Sequence, residues 1–321
     1  MNTLPPFDGS VALAHLGVIR ARGTDAAKFL HGQLTNDFSM LGLSQARLAG
    51  FCSAKGRLQA SFIAFKLSPD DVLLLCSASV LASTLKRLSM FVLRMQCKLS
   101  DATAELAPRG AVGPTAMALL TDMQTWERRE HSGASLVRLP DVHGMRRALW
   151  VGNLPAPSVP EPAFSLSLDA WRWLEVQSGL PTIEAATVDQ FVPQMLNYEL
   201  IGGVDFKKGC YPGQEVVARS QYRGTIKRRM FLFDRDSDGD SDSDSDGAPV
   251  SAGQEVFHSA DPGQPAGMVA NAAPQPGAAG SSLLAEIKLA ALQGGSLHLG
   301  SPQGPLLRLM DMPYEVTLDA A

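Results

Sequence analysis

Residues Phe206 to Gly224 read FKKGCYPGQEVVARSQYRG. A cysteine follows two lysines and a glycine, precedes Tyr-Pro-Gly, and has arginines beyond it. Gly209 permits unusual backbone angles, and Pro212-Gly213 suits a tight turn. This predicts that the Cys210 thiol is presented on a rigid loop. Lys207 and Lys208 favour the thiolate, the form that attacks electrophiles or binds metal. Arg219 and Arg223 offer forked donors for a carboxylate or phosphate. On residue types alone, a nucleophile, a metal ligand, a disulfide partner, an anion clamp and a plain buried cysteine all remain open.

The other cysteines are Cys52, Cys76 and Cys97. They sit in apolar, strand-like contexts where free thiols are commonly buried. No C-x-x-C pair and no Cys/His cluster with zinc spacing is present, so neither a structural disulfide nor a metal is expected. Histidines occur at 15, 31, 131, 143, 258 and 298, none beside Cys210 in sequence. A Cys–His arrangement would therefore depend on the fold.

Charge is unevenly spread over the 321 residues, whose formal total is −4. The run DRDSDGDSDSDSDG (234–247) has seven Asp and one Arg. Residues 207–229 carry Lys207, Lys208, Arg219, Arg223, Lys227, Arg228 and Arg229 against Glu215 alone. Such a strip attracts anions. A nucleic-acid module is disfavoured, because only Tyr211 and Tyr222 interleave as stacking platforms. Asp242, Asp244, Asp246 and Gly247 imitate the start of a calcium loop, but the twelfth position is Gly253, not glutamate. The acidic run reads instead as a self-repelling, flexible insert. No apolar stretch is long enough to span a membrane and no secretory leader is evident. Together with reduced thiols, this predicts a cytoplasmic protein.

The elements that must position the loop are partly legible. Residues 11–22 predict a strand, and Thr24 or Asp25 a helix cap before Phe29 and Leu30. Residues 47–67 predict two strands around Lys55-Gly56, and 71–76 another strand. Leu81, Leu85, Leu88 and Val92 form one helical stripe. Residues 94–106 are again strand-like, and the four prolines of 153–164 predict a loop. A helix from about Asp169 to Ser178 ends at Gly179 with Pro181 beyond. After the acidic run, short apolar segments separated by Gly and Pro predict a small β-barrel. The chain thus reads as α+β. The expected units are residues 1–233 in two lobes, the insert 234–247, and the barrel 248–321.

The pattern K-G-C-Y-x-G-Q-E-x-V-A-R, as it stands here, resembles the signature of the YgfZ-type folate-binding proteins. These are relatives of the aminomethyltransferase, or T-protein, of the glycine cleavage system. FLHGQLTND (29–37), CSAKGRLQASF (52–62), the unbroken stretch 178–229 and the closing MPYEV are similar to the family as well. The resemblance implies a three-lobed T-protein-like fold around a central cleft for tetrahydrofolate. It also implies a role in assembly or repair of iron–sulfur enzymes, including tRNA-modifying ones, and a functional Cys210 with Lys208 beside it. Asn36, Asp37, Gln177, Tyr211, Arg219 and Arg223 are the residues expected at the folate. Two departures stand out. The T-protein aspartate after the glycine hairpin is missing from Gly56-Arg-Leu-Gln59-Ala60, so glycine-cleavage activity is doubtful. Gln177 replaces a pterin-contacting glutamate, keeping hydrogen-bonding groups without the charge. The alternative reading is a folate-dependent one-carbon or aminomethyl transferase.

Overall fold

The computed structural model describes residues 7–152, 166–224, 226–235 and 249–317. In chain order its regular elements are β1 (Gly9–Ala12), β2 (Leu16–Arg22), α1 (Ala26–Gln33), β3 (Ala46–Cys52), β4 (Leu58–Ser68), β5 (Asp71–Ser77), α2 (Ala78–Val92) and β6 (Lys98–Asp101). Then come β7 (Pro108–Val112), α3 (Gly113–Leu119), β8 (Arg128–His131), β9 (Ala134–Val142), β10 (Met145–Val151), α4 (Leu168–Gln177) and α5 (Gln214–Tyr222). The last are β11 (Arg228–Arg235), β12 (Glu255–His258), β13 (Asp261–Pro274), β14 (Ser281–Lys288), β15 (Leu297–Leu299) and β16 (Leu306–Met310). Among the described residues no helix is long and apolar enough to cross a membrane.

Three β units result. One sheet runs β3-β4-β5-β2-β6 and a second β1-β7-β10-β9-β8, with antiparallel neighbours throughout. The third is a closed barrel, β11-β14-β13-β12-β15-β16. The apolar run of β5 shows why the first sheet is central. Val72, Leu74 and Cys76 join Phe29, Leu30, Leu81 and Leu88 of α1 and α2 on one face. Leu73 and Leu75 point the other way, into a cluster with Trp171 and Leu174 of α4, Leu149 of β10, and Met230 and Leu284 of the barrel. Alternating side chains of a strand covered on both faces must all be apolar. This second cluster packs all three units together.

Several expectations are adjusted by pairing that is remote in sequence. Residues 11–22 are two strands, because β1 leaves to pair with β7 while β2 pairs with β5 and β6. Of 94–106, only Lys98–Asp101 is strand. Asp25 is the N-cap of α1, yet its carboxylate accepts from Gln96 N (2.8 Å) instead of capping the helix. The barrel boundary at 248 is also shifted. Its first strand, β11, takes in Asp234 and Arg235, the first two residues of the acidic run, and closes the barrel by pairing with both β14 and β16. The proline loop 153–164 and positions 236–247 of the acidic run, with Asp242, Asp244 and Asp246, lie outside the described residues.

Candidate functional site

The cysteine loop is where distant stretches meet. Lys208 Nζ donates to the carbonyls of His31 and of Leu34 (2.9 Å), at the C-terminal end of α1. These carbonyls have no partner within their own helix, and a buried ammonium satisfies them. The same ammonium lies 4.8 Å from the centre of the Tyr211 ring, a cation–π contact. Asp205 N donates to Thr35 O (2.9 Å), tying the loop's entry to the turn after α1. On the other side the two glycine turns interlock. Gly56 (φ +70°) and Gly213 (φ +80°) both need the left-handed region. A Cβ on Gly213 would sit 2.3 Å from Ser53 O and 2.7 Å from Gly56 Cα. The β3–β4 hairpin and the Pro212-Gly213 turn therefore approach backbone to backbone, and α5 starts immediately after.

This frame leaves Cys210 exposed, whereas Cys52 and Cys76 are buried and Cys97 is half-buried. All four are free thiols. Burial pushes the thiols of Cys52 and Cys76 up to about 12 and that of Cys97 to about 11, with a smaller push from Asp189, Asp101 and Asp25 respectively. Burial also draws Lys208 down to about 8, opposed by Asp37, Asp205 and Cys210.

Of the residues expected at a folate, Asn36 alone lines one of the pockets described below. Asn36 is buried and spent on the fold: Nδ2 donates to Leu48 O and Gly202 O (both 2.7 Å). Asp37 Oδ1 accepts from Ser39 N (2.7 Å), Ser39 Oγ (2.6 Å), Met40 N (3.0 Å) and His31 Nδ1 (3.0 Å). Burial raises the Asp37 carboxyl, but these donors outweigh it and hold the group well below the usual carboxylate range. Gln177, at the end of α4, pairs through Oε1 with His143 Nε2 (3.1 Å) on the β9–β10 turn. Tyr211 is buried beneath Lys208. Arg219 is exposed on α5 and pairs with Glu215 (2.8 Å), and Arg223 is exposed at that helix's C-cap. The basic strip is divided too. Arg228 pairs with Glu286 (2.8 Å) and Arg229 with Glu199, leaving Lys207, Arg223 and Lys227 exposed.

Pockets instead line the edges of the central sheet. An open one of about 550 Å³ is bounded by Asn36, Arg47, Gln124, Trp126 and Gly202. Trp126, like Ile63 and Leu180, packs against a buried cluster that includes Leu48 and Tyr198. Leu48, Ile63, Leu180 and Tyr198 also line a small inner pocket of about 50 Å³. That pocket shares Glu175, Leu180 and Thr182 with an outer one of about 180 Å³, where His15 Nε2 donates to Glu175 Oε2 (2.9 Å) and Trp171 Nε1 to Glu175 Oε1 (2.8 Å). Arg47 and Trp126 were not singled out from the sequence. The available hint was a charge inside the otherwise apolar strand RLAGFC.

The arrangement is that of a known architecture. Residues 9–143 match the GCVT N-terminal domain. The glycine cleavage system aminomethyltransferase T from Bartonella henselae superposes with a TM-score of 0.73 over 95% of this chain and 85% of that one, at 16% identity. The fold is therefore that of the T-proteins. Among curated proteins, the chain is 31% identical over 265 residues to the tRNA-modifying protein YgfZ of Edwardsiella ictaluri, covering 72% of this chain and 76% of the relative. It is also 31% identical over 218 residues to the protein of that name from Escherichia fergusonii, covering 65% and 67%. The chain belongs to the YgfZ family.

Proposed function

We propose that this protein is a tetrahydrofolate-binding accessory for the assembly or repair of iron–sulfur enzymes, tRNA-modifying ones among them, with Cys210 as its functional thiol. The observation that carries the reading is the contrast among thiols. Two are buried, Cys97 is half-buried, and one is displayed on a loop held by α1 and by the β3–β4 hairpin. A loop fixed this firmly around an exposed thiol suits presentation to a partner. The membership in the YgfZ family supports the tRNA-linked role.

For the folate, the open pocket has the volume of a small-molecule site, roughly 300–1,000 Å³, and the inner pocket does not. Trp126 offers an aromatic face for a flat pterin, and Arg47 a forked donor for a glutamate carboxylate. Calorimetric titration of the reduced protein with tetrahydrofolate tests this. We expect binding that Arg47→Met weakens and Cys210→Ala leaves intact. No binding by the wild type would remove the folate from the reading. In cells whose only copy is Cys210→Ala, activity of dependent iron–sulfur enzymes should fall; full activity would remove the thiol.

One observation favours a one-carbon transferase as a second reading. Asp189 Oδ2 accepts from Gln59 Nε2 (3.2 Å), and its Oδ1 is buried without a partner among the described residues. A carboxylate thus arrives from another segment beside the strand position where T-proteins carry theirs. Methylene transfer from an aminomethyl donor to tetrahydrofolate, lost in Asp189→Asn, would favour this reading over the accessory role.

A further inference from the structure

The histidine that sequence distance separated from Cys210 is brought beside its loop. His31 stands in the last turn of α1, and its main-chain carbonyl accepts from Lys208. Its Nδ1 donates to Asp37 Oδ1 (3.0 Å), which fixes the ring's orientation and leaves Nε2 as the acceptor nitrogen. Asp37 is itself fixed by Ser39 and Met40. Among the described residues Nε2 makes no hydrogen bond. It lies 3.3 Å from the point where a Cβ on Gly209 would sit, one residue before the exposed thiol. Any side chain at position 209 would stand between imidazole and loop; glycine leaves the approach open. The ring is partly accessible, so a reactant at the loop can reach it.

From this geometry, and resting on the reading of Cys210 as a functional thiol, we infer that Cys210, His31 and Asp37 form a thiol centre that exchanges with disulfides. His31 Nε2 takes the proton from Cys210 Sγ. The thiolate attacks one sulfur of a disulfide, forming a Cys210–S–S–R bond, and the other sulfur departs as a thiolate. That leaving thiolate takes the proton from the His31 imidazolium. The disulfide is the oxidant, and no other co-reactant enters. Sulfur is a better-suited target than an acyl carbon, because its attack develops no oxyanion. Lys208, the cation that interacts with Cys210, has its ammonium committed to two carbonyls and the Tyr211 ring. The charged or titratable groups that act on the Lys208 ammonium are Asp37 after α1, Cys210 on the loop and Asp205 at its entry. Arg47 of β3 holds the Asp37 carbonyl (2.6 Å).

The test uses the reduced full-length protein and glutathione disulfide. Mixed-disulfide formation is followed at each cysteine by mass spectrometry across a pH series, with iodoacetamide in parallel. In the wild type, Cys210 should react fastest, with an inflection below the thiol's own ionisation that marks the imidazole. His31→Asn can keep the hydrogen bond to Asp37 while removing Nε2. It should slow Cys210 at neutral pH by roughly a hundredfold or more, the scale of acid–base assistance, and erase that inflection. His31→Gln, checked for an unchanged melting temperature, should do the same. A wild-type profile with a single thiol ionisation overturns the assignment without any variant. So does an unchanged profile in the folded variants. If Cys210 reacts no faster than Cys52, Cys76 and Cys97, the functional-thiol reading itself fails. If it reacts faster but indifferently to position 31, only the role of His31 falls.

Discussion

Lys208 was expected to act on the thiol, and its side chain is used mainly to end a helix. The two carbonyls it satisfies would otherwise be buried without a donor. Lys208→Met should therefore destabilise the protein by about 1–3 kcal/mol, read from urea unfolding. The pH dependence has a definite sign. Folding lowers the pKa of this lysine to about 8, below its ordinary value of about 10.4. Between these values the unfolded chain binds more protons, so this group's contribution to stability rises with pH across that window. Wild-type stability minus that of Lys208→Met should accordingly grow from pH 8 towards 10, and a flat difference would refute the assignment. Asp37 works in the opposite range. Its carboxyl is held low by its donors, so the stability it contributes is present above about pH 4 and is lost as acid protonates it. Asp37→Asn should flatten the acid limb of a pH–stability curve.

At the scale of elements, the contact between glycine turns makes the sharpest claim. Gly213→Ala would force an L residue to φ +80° and drive its Cβ against Ser53 O. We expect a loss of about 2–4 kcal/mol, combining backbone strain with overpacking, and faster proteolysis of the loop. Thermal melts and limited digestion would measure both. Elements made by local pairing were readable in advance: the β3–β4 hairpin, the helix from Ala78 to Val92, and the stop of α4 before Gly179. Their signals are period, turn and cap, all within one segment. The split between β1 and β2 was not readable, because Gly9 pairs with Val112 and nothing near Leu13 announces it. The site divides in the same way. The glycines and proline around Cys210 disclosed a shaped loop. The approach of His31 to Gly209, the arrival of Asp189 at Gln59 and the pairing of Arg229 with Glu199 are tertiary facts with no local signature. Residue type does not tell a ligand-facing polar group from one that serves the backbone: Asn36 lines the open pocket while its amide nitrogen is held by two carbonyls.

Across the molecule, the closing MPYEV acts as a tie between units. Tyr314 OH donates to Gly179 O (2.9 Å) at the end of α4, and its ring fills the space a side chain on Gly179 would need. Tyr314→Phe should cost about 1 kcal/mol; removing Met312 onward should cost several times more, measured as melting temperature. The nesting of the two sheets bears on how the chain acquires its shape in time. All strands of the central sheet lie between Leu16 and Asp101, whereas β1 and β7 flank that segment and pair across it. During vectorial synthesis, Gly9–Ala12 must wait on the ribosome's schedule until Pro108–Val112 has emerged. The segment between them has its partners sooner, and local closure is faster than remote closure. In pulse-labelled hydrogen exchange during refolding, amides of β2, β4 and β5 should gain protection before those of β1 and β7. The earliest of the described strands to leave the ribosome would then be among the last to find its place.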